Sequence, residues 1–322
     1  MRAPITLGLH LPNFNFPGTG PDEVFEHLVQ IATTAEDSGF SSISVMDHLH
    51  QIPPVGPETN WMFEGNTMLG GLAARTSKAS LGLLVGGVTY RNPALHAKIA
   101  TTLDIISGGR AWLGLGAAWF EAEHRAYGFD FPSLGTRFEL LEEALQISRA
   151  MFTQERASFA GTHFHVDGAL NNPKPIRGDI PIVIGGSGER KTLRLVAQYA
   201  DGCNLFGDTT QSRHLLDVLE RHCDDVGRDP AEITKTRLGV LVIAPTHEGA
   251  MAKVDFLRQM GMPEERLSTL MAGDPDSVAE QATQFREAGI EGLTLTIPDS
   301  HDLETVELAG RTIGPIFAAS AA

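Results

Sequence analysis

The chain has 322 residues, 42% of them hydrophobic, a formal net charge of −15 and a pI near 5.2. That length and apolar fraction suffice for one large buried core, and so strong an excess of acid argues against nucleic acid or anionic membrane as a partner, since both need a positive face. Two cysteines, Cys203 and Cys223, are too few for a disulfide scaffold or a zinc site; no basic-then-apolar leader opens the chain and no run reaches the ~20 apolar residues of a membrane span, so the expectation is a one-domain, metal-free, cytoplasmic enzyme acting on a small molecule.

Short apolar runs bounded by Gly, Pro, Asp or Asn occur at residues 5–11, 42–46, 80–86, 111–115, 181–185, 202–206, 236–243 and 292–297. Each has the length and near-continuous apolar content of a parallel strand buried on both faces. The stretches between them carry apolar residues at helical spacing. Asn92 before Pro93, Thr136 with Glu139 as a capping box, and Asp274 before Pro275 mark helix starts. Strand and helix alternating in this way predict an α/β fold, a (β/α)8 TIM barrel, although an open doubly wound sheet would give a similar pattern. Insertions are predicted after the fourth strand, at about residues 153–178, and after the seventh, at about 244–273. The first contains a segment at 157–174 that reads as a hairpin over one barrel end, and a proline-rich loop at 50–65 reads as a further cover. The final Ala-Ala-Ser-Ala-Ala is the only low-complexity tract.

The chemically pointed residues cluster just past the strand ends, where barrel enzymes keep their sites. After the first strand, Asn13 and Asn15 flank Phe14 and read equally as turn formers. The second ends in Asp47-His48, an acid beside an imidazole that can pass a proton near neutral pH; as plain structure, Asp47 would cap a turn and His48 would pack. Near the following helix, Glu64 reads as a buried acid or a helix N-terminal charge. The third strand runs into Gly86, Gly87, Val88 and Thr89, a bulge where backbone approaches a flat ligand or an ordinary tight turn. The fourth leads to Ala117 and Ala118, bare backbone beside Trp119 and Phe120. Glu121 and Arg125 are spaced to pair on a helix, and Glu123 and His124 read as its solvated face. Arg137 is an anion-binding candidate or a surface ion-pair partner of Glu139 or Glu142. After the fifth strand, Gly185, Gly186 and Ser187 open a helix with free amides and a hydroxyl, an anion cradle with Arg190 and Lys191 near it. No Ser-His-Asp, HExxH, paired-carboxylate or Walker pattern is present, and no lysine stands at a strand end as an aldolase would need.

Taken together, Asp47-His48, GVTYRNP at 87–93, GLGAAWFEAEH at 114–124, RFELLEEAL from Arg137 and GGSGERKTLRLVAQYADGCN at 185–204 resemble the bacterial luciferase-like superfamily, closest to its coenzyme F420-dependent oxidoreductases. The likeness spans about residues 5–300. It implies a barrel whose third-strand bulge supports a tricyclic ring, with Asp47 and His48 beside the ring, Gly86, Gly87, Val88 and Thr89 under it, and Ala117, Ala118 and Glu121 along its edge and side chain. Gly185, Gly186 and Ser187 would hold the phosphate, and Arg137 matches a phosphate-binding arginine of flavin-using relatives. Hydride would pass between F420 and an alcohol, carbonyl compound or activated alkene, with His48 the first choice for the proton and Glu64 the second. FMN is the alternative cofactor, giving a monooxygenase fed by a separate reductase, and a non-catalytic flavin- or deazaflavin-binding protein is the alternative of another class. Relatives that oxidise a sugar phosphate add a ring-facing tryptophan, whose position Trp61 does not match. Such barrels commonly form homodimers.

Overall fold

All eight apolar runs become parallel strands in the computed structural model, which describes residues 1–318; the rest of the alanine-rich tail, 319–322, lies outside the described residues. The strands are β1 Leu7–Leu11, β2 Ser42–Val45, β3 Ser80–Leu83, β4 Gly86–Gly87, β5 Leu113–Gly116, β6 Arg156–Ala160, β7 His165–Leu170, β8 Ile182–Gly185, β9 Gly202–Leu205, β10 Thr234–Ile243, β11 Met271–Gly273 and β12 Gly292–Thr296. In the main sheet they run β3-β2-β1-β12-β10-β9-β8-β5-β4. The ring closes where Leu81 of β3 bridges to Ala111, with the Leu81 amide donating to Arg110 and the Trp112 amide donating back to Leu81. This closure decides the question the one-dimensional pattern left open: the fold is a (β/α)8 barrel and not an open sheet.

Burial explains why these segments are strands. Residues of β1, β2, β3, β5 and β9 are buried throughout, so both faces are covered, one by the barrel interior and the other by helices. The seam between β3 and β5 needs glycine for space. A Cβ on Gly114 would overlap the Leu83 carbonyl oxygen and sit 2.9 Å from the Trp112 ring.

The helix starts hold in part. Asn92 accepts from the amides of Ala94 and Leu95, and Asp274 accepts from Ser277. The long helix after β5 runs Leu134–Thr153 and is capped by Ser133, whose hydroxyl accepts from Thr136; Thr136 therefore lies inside it and forms no capping box. Ser133 won because Pro132 and the extended Ser133 end the preceding loop three residues before Thr136.

Both insertions exist, with different placement. β6 and β7 form an antiparallel hairpin, but it lies along the flank of the Leu134–Thr153 helix and lines none of the large cavity. The cause is Glu143, whose carboxylate accepts from the amides of Thr162, His163 and Phe164 at the hairpin turn. The second insertion holds a helix His247–Gln259, a short helix Glu264–Leu267 and β11. β11 pairs in parallel with Leu241–Ile243 of β10, and Val242, Val254 and Leu267 form a small core of their own. This insertion leans over the barrel mouth, where Arg266 donates to the Pro54 carbonyl of the 50–65 loop. Among the described residues, no helix is long and apolar enough to cross a membrane.

Candidate active site

The C-terminal ends of the strands open onto a cavity of about 1480 Å³. His10, Asp47, His48, Ala117, Ala118, Gly185, Gly186 and Asn204 all line it, so segments that are distant in sequence converge at the expected end of the barrel. The interruption in the third strand is real but sits one step earlier than the glycines suggest. Leu84 and Val85, joined by a cis peptide bond, separate β3 from β4, whereas Gly86 and Gly87 pair regularly with Leu115 and Gly116. Leu84, Val85, Gly86 and Gly87 face the cavity; Val88 and Thr89 have turned away into a smaller cleft behind it.

Asp47 is a structural keystone of this end. It is 4% exposed and accepts from the Gly87 amide at 2.9 Å and from both terminal nitrogens of Arg91 at 2.7 and 2.8 Å. Burial pushes its carboxyl up from the usual range, against the pull of Arg91 and the Gly87 amide. Arg91 also donates to Glu64 at 2.7 Å. Glu64 itself is the N-cap of the helix Gly65–Arg75, accepting from the amide and hydroxyl of Thr67. Burial would raise its carboxyl, but Thr67 and Arg91 outweigh that and hold it at about 2. A carboxylate so acidic and absent from the cavity wall has no proton to trade at neutral pH. The second-choice acid of the sequence reading is thus an anchor for Arg91, because a cap and an ion pair occupy both its oxygens.

His48 lies at the cavity with 14% of its side chain exposed, and its Nδ1 is 3.2 Å from Oε2 of Glu123. Glu123, read from sequence as solvated, is fully buried at 0% exposure. It accepts from the amides of Leu49 and His50 at 2.5 and 2.7 Å and from the Tyr90 hydroxyl. Against the opposing effect of burial, His48, Tyr90 and the His50 amide keep it at about 2, an anion at any working pH. With an anion on Nδ1, that nitrogen carries a proton and Nε2 is left to the cavity. His124 is equally buried: its Nδ1 donates to the Phe120 carbonyl at 2.8 Å, its Nε2 accepts from Thr89 at 2.6 Å, and its ring stacks on Tyr90. A signal for this existed. At 100° per residue, the exposed Glu121–Arg125 pair fixes the outer face of the helix Glu121–Tyr127, and Glu123 falls opposite it.

The remaining candidates divide. Glu121 is paired with Arg125 in solvent and lies off the cavity. Arg137 is buried, donating to the carbonyls of Ala117 and Pro132 at 3.0 and 2.7 Å with its guanidinium 3.9 Å over Phe131; it holds the Ala117 backbone from behind. Ser187 accepts from the Phe206 amide at 2.9 Å, tying the turn after β8 to the end of β9, while Gly185 and Gly186 present backbone to the cavity. Sequence reading missed His10, hidden in the apolar run of β1. It is buried, its Nδ1 is 3.0 Å from the Ser44 hydroxyl, and burial first, then nearby His48, lowers it to about 4, leaving it neutral. Arg237 of β10, also missed, lines the cavity as well.

Residues 5–268 match the profile described as luciferase-like monooxygenase. The chain belongs to the luciferase-like monooxygenase family. It is an enzyme, and its similarity to characterised members runs nearly end to end. It is 26% identical to the F420-dependent glucose-6-phosphate dehydrogenase of Segniliparus rotundus, with 98% of each chain covered. It is 30% identical to the pyrimidine monooxygenase RutA of Stutzerimonas stutzeri, covering 91% of this chain and 89% of that one. In fold it resembles an F420-dependent secondary alcohol dehydrogenase solved with an F420-acetone adduct, at a TM-score of 0.81 and 20% identity, covering 98% of this chain and 99% of that one.

The luciferase-like cavity has room for the three-ring group the resemblance implies. Glycine is needed along one wall: a Cβ on Gly185 would meet Val85 at 3.0 Å and one on Gly116 would meet it at 2.8 Å, so Val85 packs directly on the backbone of β5 and β8 beside the cavity. At the turn after β8 the anion cradle expected from free amides is only partly there: Gly185 and Gly186 present backbone to the cavity, but the Gly186 amide donates to the Asn204 carbonyl at 3.0 Å and the Asn204 side-chain amide donates to the Thr236 hydroxyl at 2.8 Å.

Proposed function

We propose that the chain is an oxidoreductase that transfers hydride between coenzyme F420 and a small organic substrate, an alcohol or carbonyl compound or an activated alkene. The end-to-end similarity to an F420-dependent dehydrogenase supports this reading, and one observation carries it: a cavity-facing histidine backed by a buried carboxylate. The deazaflavin ring, when bound, supplies the carbon that takes or gives the hydride. Everything else falls to the chain. Glu123 fixes the His48 tautomer, so Nε2 is the atom that meets the substrate oxygen. As an alcohol loses hydride from carbon, its hydroxyl proton passes to Nε2, and the buried anion at Nδ1 stabilises the imidazolium. In the reducing direction the same nitrogen returns the proton to the new alkoxide. Neutral His10 adds a polar wall without competing for that proton, and the 50–65 loop with the second insertion covers the mouth and keeps water from the reacting atoms. Cofactor contacts in this reading come from Asp47, His48, Gly86, Gly87, Ala117, Ala118, Gly185 and Gly186, with Arg137 and Ser187 bracing the backbone they touch. The protein would act in the cytoplasm as a homodimer, on a small molecule and not on nucleic acid or membrane.

The second reading fills the site with FMN and makes the enzyme a monooxygenase, favoured by the 30% identity to a pyrimidine monooxygenase. Equilibrium titration with F420 and with FMN, read by fluorescence quenching, separates the two. F420 is expected to bind at least about tenfold more tightly, a difference of about 1.4 kcal/mol; tighter FMN binding overturns the proposal. Cofactor-coupled turnover of any substrate disposes of a purely binding role.

A further inference from the structure

Arg237 is a buried cation without a counter-ion. Its side chain is 5% exposed, in a chain with a net charge of −15. The guanidinium donates from Nε to the Gly207 carbonyl at 2.9 Å and lies 4.4 Å over the Phe285 ring. Nη1 is buried with no hydrogen-bond partner. Among the described residues no carboxylate pairs with it. The acid that influences it, Asp208, is exposed and caps the helix Thr209–Val226 through the Gln211 amide. Gly239, two residues along β10, makes room for this arrangement, since a Cβ there would overlap Nη1. Burial lowers the guanidinium to about 10, which leaves it charged at neutral pH.

An unpaired buried charge is among the costliest features a fold can keep. Arg237 nonetheless lines the same cavity as His48, and Phe206, Gln211, Gln281 and Gln284 line it too. We propose that Arg237 marks an oxyanion subsite of this cavity, where it grips a phosphate or carboxylate of the bound small molecule. The Phe285 ring below and the Gly207 carbonyl at Nε hold the guanidinium flat, so with Nη1 enclosed beside Gly239 the Nη2 edge is the one left for an oxyanion. The anion belongs either to the cofactor's tail or to the substrate.

The test begins with inorganic phosphate alone. Thermal unfolding of the full chain is followed with phosphate or with sodium chloride at matched ionic strength, for the wild type, Arg237→Met and Arg237→Lys. Phosphate is expected to raise the wild-type melting temperature above the chloride control, to do so less in Arg237→Lys and not at all in Arg237→Met; circular dichroism checks that both variants are folded. A second arm measures affinity for F420 and for the deazaflavin alcohol that lacks its phosphate. If the anion is the cofactor's, Arg237→Met weakens F420 about tenfold or more and leaves the alcohol unchanged. If it is the substrate's, both affinities stay unchanged and inorganic phosphate acts without displacing F420. Equal stabilisation of wild type and Arg237→Met by phosphate, or no stabilisation of the wild type beyond chloride, overturns the subsite. The phosphate arm stands even if F420 fails to bind, so the two proposals fail separately.

Discussion

Removing the imidazole of His48 tests the proton-transfer role without disturbing the ring's supports, because the walls at Gly116, Val85 and Gly185 remain. His48→Ala is expected to keep F420 affinity within about an order of magnitude while turnover falls about a hundredfold or more, the usual worth of a positioned acid or base. Pre-steady-state absorbance of the deazaflavin measures both; an unchanged rate removes His48 from the chemistry. Glu123→Gln attacks the same pair from behind. Glu123 accepts four hydrogen bonds from Leu49, His50, Tyr90 and His48, and an amide turns one of its two acceptor atoms into a donor facing donors. The expected loss is roughly 2–4 kcal/mol in urea unfolding, with kcat reduced and F420 affinity retained. A variant as stable and active as the wild type would mean that the Glu123 charge is idle.

At the scale of elements, close approach of strands governs what a glycine tolerates. Gly114 faces the Leu83 carbonyl across the β3–β5 seam, and Gly70, in the helix Gly65–Arg75, has nothing within 4 Å of its would-be Cβ. Gly114→Ala should therefore cost about 3 kcal/mol or more by forcing the barrel seam apart, while Gly70→Ala should gain about 0.5–1 kcal/mol by restricting the unfolded chain. Chemical denaturation of both variants checks the signs, and a stabilising Gly114→Ala would contradict the seam geometry. The barrel was legible because strands buried on both faces must be short and apolar, and helix caps at Asn92 and Asp274 obey local rules. What escaped was set by contacts between elements. Glu143 drew the hairpin to the helix flank, the Arg91 pair turned Glu64 from acid to anchor, and the fold of the 84–85 break carried Val88 and Thr89 out of the cavity. The site's backbone positions were readable as Gly and Ala next to strand ends. His10 and Arg237 were not, since a polar residue's burial depends on partners from other elements, and the burial of Glu123 was legible only in its helical phase opposite the Glu121–Arg125 pair.

For the molecule as a whole, buried histidines set the acid limb of stability. Burial lowers His10 to about 4 and His96 to about 3 from 6.5, so both stay neutral in the fold and take up protons when it opens. Between pH 6.5 and about 4 the unfolded chain then binds more protons than the native one, so stability rises with pH across this window and is lost as pH falls through it. Glu123 and Glu64, each held at about 2 against 4.5, have the same sign lower down: their contribution is complete above pH 4.5 and disappears toward pH 2. General charge repulsion works the other way, since acidifying a chain of net charge −15 toward its pI near 5.2 relieves it. The histidine effect is therefore separable by direction. Urea unfolding from pH 7.5 to 4.5 should show stability falling by up to about 2.7 kcal/mol per pH unit at its steepest, two protons' worth. His10→Gln and His96→Gln should each remove about half of that slope, at some cost in stability near neutral pH where the native contacts are altered. A pH slope between 7 and 5 that neither substitution changes would show that water reaches these imidazoles in the folded barrel.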